Sequence, residues 1–405
     1  MPRKDDGLCR FGTLGYAMAV HRRPLAPVIC LFVSACAGQV TLIPPPTPIA
    51  APIAKDDYKV RSLADVDPAQ PLAGAMAGQT LSLFGREDLI ARTSSDYKPT
   101  ACSPIAGAGD AIGTIIERAR KTSIVIVNES HERSEHRGFT ARVARALRPL
   151  GYDVLAMETL SIPALGTPDK FLPPYLKRPD QLYFEDTDGY YLYEAGFGRL
   201  GREAKALGYR LLPYEERFSE TAATLSLDEG IARRETAQAE QLAAYIAAHP
   251  KAKLLIHVGY SHATEVPRAD GQRWMATRLK AITGIDPLTV SQTTCRGGGS
   301  RERLAVLPAE QRPGTFDVVV DHPTAKFVRG RPAWRVAAGD RVVSIPTALR
   351  PAKGWRIVEA RPVGESEASV PMDRVAIRPG EDIALLLPPG RYQLKVVDVP
   401  MAAKE

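Results

Sequence analysis

Residues Ser123–Arg137 read SIVIVNESHERSEHR, a short apolar run rich in β-branched residues that stops at Asn128-Glu129. Branched side chains favour an extended backbone, and a run of this length reads as a strand buried on both faces. Glu129, His131, Glu132, Glu135 and His136 then follow within nine residues, and a helix-patterned segment, Ser134–Leu150, begins inside the cluster. The same alternation recurs down the chain. Strands are expected at Asp153–Met157, Tyr209–Leu212, Lys253–Val258, Leu288–Ser291 and Phe316–Val320. Helices are expected at Ala111–Arg120, Gly196–Leu207, Ile231–Ala248 and Gln272–Thr283, with Gly151 and Gly208 as helix stops. Strands alternating with helices specify an α/β fold, a mostly parallel sheet with helices on both faces. In such folds ligands bind at the carboxyl ends of the strands.

Beyond about Pro323 the helical patterns vanish. RVVSIP, WRIVEARP, DRVAIRP, DIALLLPPG and YQLKVVDVP are short strands spaced by Pro and Gly turns, a small C-terminal antiparallel β-module over residues 324–405. The α/β domain spans 109–323. Residues 36–108 read as a tether and a poorly ordered lead-in, because VTLIPPPTPIAAPIA favours extended polyproline geometry and the stretch to about Thr80 lacks periodicity.

The first 35 residues carry an export pattern. His21-Arg22-Arg23 is a basic start, Leu25–Ala35 is apolar but too short to span a bilayer, and Val33-Ser34-Ala35-Cys36 resembles a bacterial lipobox. Met18 gives a more usual signal length than Met1. Cys36 would then be lipidated, and Ala37, where an inner-membrane retention signal has Asp, points to an outer-membrane anchor facing the periplasm. Removing residues 1–35 leaves 48 basic and 44 acidic residues, a formal charge of +4, with no basic stripe, so nucleic-acid binding is not expected. With Cys36 lipidated, Cys102 and Cys295 remain, either as a disulfide in an oxidising compartment or as two separate buried thiols.

Four strand ends deliver acid or imidazole. The first gives Glu129 and His131, which as i and i+2 point to the same side of an extended segment. The second gives Glu158, the third Glu215 and Glu216, the fourth His257 and His262. Any one of these alone reads as a surface or satisfied core residue; their recurrence along one rim makes a site. A carboxylate can orient an imidazole as a general base, or His and Glu together can bind a divalent metal that acidifies a water. Glu132 and Glu135 read as solvent-side charges at a helix start. Gly259-Tyr260-Ser261-His262-Ala263 nearly matches a serine nucleophile elbow, but Val266-Pro267 interrupts the helix that an elbow needs, and Tyr260 and His262 are bulky.

These motifs resemble the superfamily of ChaN-type haem-binding lipoproteins, Tiki-type metalloproteases and erythromycin esterases. The matching pieces are Asn128-Glu129-Ser130-His131 with His136, Met157-Glu158, Gly259-Tyr260-Ser261-His262, and Arg234-Glu235-Thr236-Ala237-Gln238-Ala239-Glu240-Gln241-Leu242. Asn128 stands where the family has Gly, and Gln241 where it has Asn. Arg234 and Gln238, four apart, share a helix face that could meet the rim. The resemblance covers residues of about 120–295 and implies a hydrolase of a small-molecule or peptide substrate. In its esterase-like form His131 is the base, Glu129 and Glu158 orient it, and Arg234 with His262 stabilises the oxyanion. In its metal form His131, Glu158 and His262 hold a divalent ion and Glu129 is the base. His136, Glu216, Gln238 and His257 are the further ligand-contacting candidates. The ChaN likeness implies an alternative without catalysis, haem or iron-complex binding, for which Tyr190, Tyr191 and Tyr193 are the available aromatics.

Overall fold

The computed structural model describes residues 38–45, 58–64, 66, 75–100, 102–217 and 225–399. The export segment, Cys36 and residues 46–57 of the proline-rich region lie outside the described residues. No helix among the described residues is long and apolar enough to cross a membrane.

The lead-in has more structure than its weak periodicity predicts. Strand β1 (Val40–Ile43) and helices α1 (Tyr58–Ala64), α2 (Ala75–Leu83) and α3 (Glu87–Ile90) precede a 3-10 turn at Ser95–Tyr97. Val60, Leu63, Leu81, Phe84, Ile90 and Tyr97 are buried in one cluster with Ile357 and Ala376 of the C-terminal module. The helices are short and become stable only against a surface some 300 residues away in sequence, so no local pattern announces them.

The central domain follows the expected alternation: α4 (Ala111–Ala119), β2 (Ile124–Glu129), α5 (Ser134–Leu147), β3 (Val154–Met157), α6 (Pro174–Lys177), α7 (Ala195–Ala206), β4 (Arg210–Pro213), α8 (Leu227–Ala248), β5 (Leu254–Gly259), α9 (Met275–Thr283), β6 (Leu288–Ser291), β7 (Arg303–Ala305) and β8 (Val318–Asp321). The seven strands form one sheet in the order β4-β3-β5-β2-β6-β8-β7, parallel throughout except for β7, a three-residue antiparallel edge. Alternate residues of β2 face opposite layers. Val125 and Val127 pack with α4, α5 and α7, whereas Ile124 and Ile126 pack with α8 and α9. Each such fully buried side chain contributes roughly 1.5–3 kcal/mol. Ser226 and Glu229 form a capping box that starts α8 four residues before the expected Ile231.

In the C-terminal module, β9 (Phe327–Val328) and β10 (Arg331–Pro332) form a two-residue hairpin, followed by a short helix α10 (Ala333–Ala337). Strand β11 (Arg341–Ser344) pairs antiparallel with β14 (Ala384–Leu387). Strand β12 (Arg356–Pro362) lies between β13 (Asp373–Ile377) and β15 (Gly390–Asp398), antiparallel to both, and β1 adds in parallel to β15. The tether thus begins with a strand, because Val40–Ile43 can complete the open edge of β15. One face of β12, with Val358 and Ala360, packs on the β11–β14 pair. Its other face, with Ile357, takes the lead-in helices. Ion pairs from α7, Arg199 with Asp340 at 2.8 Å and Arg202 with Glu365 at 2.8 Å, bind the module to the central domain. Contrary to the sequence pattern, helical structure does not stop at Pro323: α10 and a 3-10 turn at Thr347–Leu349 follow.

Candidate functional site

Strand β2 runs two residues further than expected, so Glu129 is its last residue and is wholly buried. Its neighbour on the same side, His131, keeps 21% of its side-chain surface. The Nδ1 of His131 lies 3.0 Å from Glu129 Oε1. Behind the carboxylate, Arg137 Nε is 2.8 Å from Oε2, and Arg137 Nη2 donates to the His131 carbonyl oxygen at 3.0 Å. Burial alone would raise the Glu129 pKa; Arg137, then His257 and His131, overcome this and hold it below its ordinary value. Facing an ionised carboxylate, the neutral ring keeps its proton on Nδ1 and its lone pair on Nε2, which lies on the Gly259 side. Tyr191 and Tyr260 flank the ring, with centroids at 4.7 and 5.0 Å. Gly259 permits this packing: a Cβ there would meet His131 Cε1 at 2.6 Å and Glu158 Oε2 at 3.1 Å.

A second group lies at the ends of β3, β4 and β5. Glu158 accepts from the Gly259 backbone N–H at 2.6 Å and from Arg234. Arg234 also donates from Nε to both Glu215 oxygens, at 2.9 and 3.1 Å, and its Nη1 lies 3.3 Å from His262 Nε2. His262 stands between two carboxylates, 2.5 Å from Glu235 through Nδ1 and 3.6 Å from Glu158 through Nε2. Burial opposes its charging, but Glu158 and Glu235 outweigh that and raise its pKa. His262 with Arg234 likewise holds Glu158 well below the usual carboxylate range despite the opposing burial.

Several expected site residues have other duties. His136 is fully buried; its Nδ1 accepts from the Ser130 backbone N–H at 2.9 Å and its ring packs on His322 at 5.3 Å. Burial, with Arg133 and His322 beside it, pushes its pKa well down, so it is a neutral ring that shapes the loop. Glu216 turns outward to Arg233 at 2.7 Å, and Glu215 takes the inner position, as neighbours on an extended segment must face opposite ways. Gln238 is buried and donates to Glu215 at 3.1 Å, and Gln241 donates to the Tyr214 and Glu215 carbonyls. His257 lies buried behind Glu129, 3.4 Å from Oε2, where burial lowers its pKa. His136, Gln238 and His257 are buried, and Glu216 keeps 20% of its side-chain surface. Glu132 is buried against Ser94 and not on a solvated helix face. Ser261 is exposed on a 3-10 turn, Tyr260–Ala263, where an elbow needs a helix.

The periodicities left other residues unseen. Arg137 comes from inside α5 and Glu194 from the start of α7, 3.8 Å apart. Asn128, where the resembling family has Gly, holds three strand ends together: it donates to the Tyr260 carbonyl at 2.7 Å and to Thr293 at 2.9 Å, and accepts from the Gln292 N–H at 2.7 Å. The lead-in reaches the site too. Asp96 accepts from Ser130 and from the Tyr260 hydroxyl at 2.8 Å, while the Tyr97 hydroxyl lies 2.8 Å from the Glu132 carbonyl oxygen. Tyr260, held at a φ of 36°, turns its hydroxyl to accept from the His131 N–H at 3.2 Å. A disulfide joins Cys102 to Cys295.

The metal ligand set does not assemble. Among the described residues no three His, Cys, Asp or Glu side chains converge as metal ligands would. His131 turns to Glu129, and the Arg234 guanidinium sits on Glu158, Glu215 and His262, supplying the positive charge that a bound cation would bring to those groups. Nor does the site fit haem, which needs an apolar slot. The carboxylates and Arg234 give it a charged lining. The three tyrosines also separate: Tyr190 is 51% exposed, Tyr191 packs on His131, and Tyr193 is buried under Arg374.

No family model matches the chain, and no curated protein does. Among solved structures it is similar to the type III effector HopBA1, at 13% identity over 57% of this chain and 99% of that one, with a TM-score of 0.37. It is similar to ChaN of Campylobacter jejuni, solved with cofacially bound haem, at 10% identity over 52% and 91% of the two chains and a TM-score of 0.36. It is also similar to RRSP, a MARTX toxin effector domain from Vibrio vulnificus, at 15% identity over 51% of this chain and 38% of that one, with a TM-score of 0.32. These are distant likenesses, and no residue's role is taken from them.

Proposed function

We propose that the chain is a hydrolase of ester or amide bonds in a small-molecule or peptide substrate, with His131 as general base. The observation that carries this reading is the buried Glu129 carboxylate on His131 Nδ1, backed by Arg137, with the His131 ring itself only partly buried. His131 Nε2 takes a proton from water as the water oxygen bonds to the substrate carbonyl carbon, and returns it to the leaving group as the tetrahedral intermediate breaks. Negative charge on the intermediate's oxygen is met by Arg234, whose Nη1 carries no carboxylate, with His262 beside it at 3.3 Å. No step uses a metal or haem. The disulfide supports an oxidising compartment, which suits export and a lipid anchor at Cys36.

The test is a screen of ester and peptide substrates with the full chain and with Cys36→Ser, in the presence and absence of a chelator. Turnover that survives chelation and vanishes in His131→Ala is expected, and membrane association should be lost in Cys36→Ser alone. Turnover that requires added metal overturns the mechanism. A Soret band at micromolar haemin that needs His131 or Tyr191, with no turnover on any substrate, would replace the hydrolase by the haem-binding reading.

A further inference from the structure

A cavity of about 380 Å³ lies where the central domain meets the C-terminal module, and neither His131 nor His262 lines it. Three aromatic side chains form its walls: Tyr97 from the lead-in, Phe327 from β9 and Trp334 from α10. Tyr97 and Phe327 lie 6.5 Å apart between ring centroids. Trp334 is fixed in place, since its indole N–H donates to Ser134 at 3.3 Å and its ring packs so tightly on Gly138 that a Cβ there would meet it at 2.4 Å. The buried floor carries one carboxylate, Glu87, which accepts from the Tyr97 hydroxyl at 2.6 Å and from Ser134 at 2.5 Å. Each carboxylate oxygen can accept more than one hydrogen bond, so Glu87 retains acceptor capacity. Arg133 is buried with its guanidinium over the Tyr97 ring at 5.4 Å, and it pairs with Glu135 at 2.6 Å. Lys326 lines the cavity and is exposed.

We propose that this cavity is a binding site for an aromatic carboxylate whose ring carries a hydrogen-bond donor. The aromatic walls suit a flat ring, which stacks at 4.5–7 Å between centroids in general. The ring donor would reach Glu87, and the carboxylate would pair with Lys326 at the mouth. This gives the C-terminal module a role that its strand pattern does not show: Phe327, Trp334 and Lys326 all belong to it. The proposal does not depend on the hydrolase reading.

The test is isothermal titration calorimetry of the full chain with three probes of similar shape. Indole-3-acetate has both the ring donor and the anion, 1-naphthaleneacetate lacks the donor, and tryptamine replaces the anion by a cation. Indole-3-acetate is expected to bind with a Kd on the order of 100 µM. The other two should each bind about tenfold more weakly. Lys326→Met should weaken indole-3-acetate about tenfold and leave tryptamine unchanged. Ala325→Trp, at the cavity wall, should abolish binding while leaving the hydrolytic site intact. No heat from indole-3-acetate up to about 5 mM overturns the proposal. So does equal binding of all three probes, or binding that survives both variants. If Ala325→Trp loses its cooperative melt, Lys326→Met alone decides.

Discussion

The two exposed-edge imidazoles of the rim, His131 and His262, follow strands that lie side by side, yet their surroundings set them to opposite tasks. His131 has one carboxylate in contact, on Nδ1, and keeps 21% of its side-chain surface. His262 has a carboxylate on each side and keeps 12% of its surface. The first arrangement makes a base with a fixed tautomer. The second favours the charged form of the ring and sets both nitrogens against carboxylates. What separates the two rings is the number of acids around each, which a histidine's position at a strand end does not reveal.

The largest expected effect that would sharpen this contrast is on turnover. His131→Ala should lower it by about 10³-fold with little change in melting temperature, as expected for a lost general base. His262→Asn should cost less activity and more stability, because Glu235 is left buried without its partner, at roughly 1–3 kcal/mol. Equal activity losses in the two variants would break the comparison. A smaller effect concerns pH. The folded-state pKa of His262 is raised above 6.5, so its contribution to stability is fully present below that value and is lost as pH rises through the raised pKa. Thermal melts of the protein should therefore fall relative to His262→Asn as pH is raised from about 6.5. Parallel curves would show that His262 gains no proton on folding. The smallest effects belong to Ser261→Ala and Glu216→Ala, each expected to change stability by less than about 0.5 kcal/mol and turnover by less than about twofold. Loss of activity in Ser261→Ala with retention in His131→Ala would move the site to the serine.

The central sheet was legible because buried parallel strands are continuous apolar runs, and each helix between them ends at a glycine or a cap. The β7 edge was not, since three residues cannot show a period. Legibility of the site followed the same line. Glu129, His131, Glu158 and His262 lie directly at strand ends, so the parallel sheet brings them together. Arg137 and Glu194 reach Glu129 from helices, through packing that sequence spacing does not encode. The choice between Glu215 and Glu216 rests on how the chain turns after Pro213, and Glu235 reads as any acid on a charged helix, because its contacts, the Met275 N–H and His262, come from other elements. Cys102 and Cys295 left two outcomes open because their approach depends on the lead-in folding back across the domain.

That folding back bears on how the molecule can be trimmed. A fragment begun at the first periodic element, near Asp110, would keep every strand of the central sheet and every residue of the Glu129–His131 and Glu158–His262 pairs. It would lack Glu87, Ser94, Asp96 and Tyr97, the side chains that hold Ser130, Glu132 and Ser134 on either side of His131. It would also lack Cys102. The shortest chain that preserves the loop therefore begins before Ala75, and a protease cut between Cys102 and Asp110 would leave the loop's fastening attached through a single covalent bond, the one between Cys102 and Cys295.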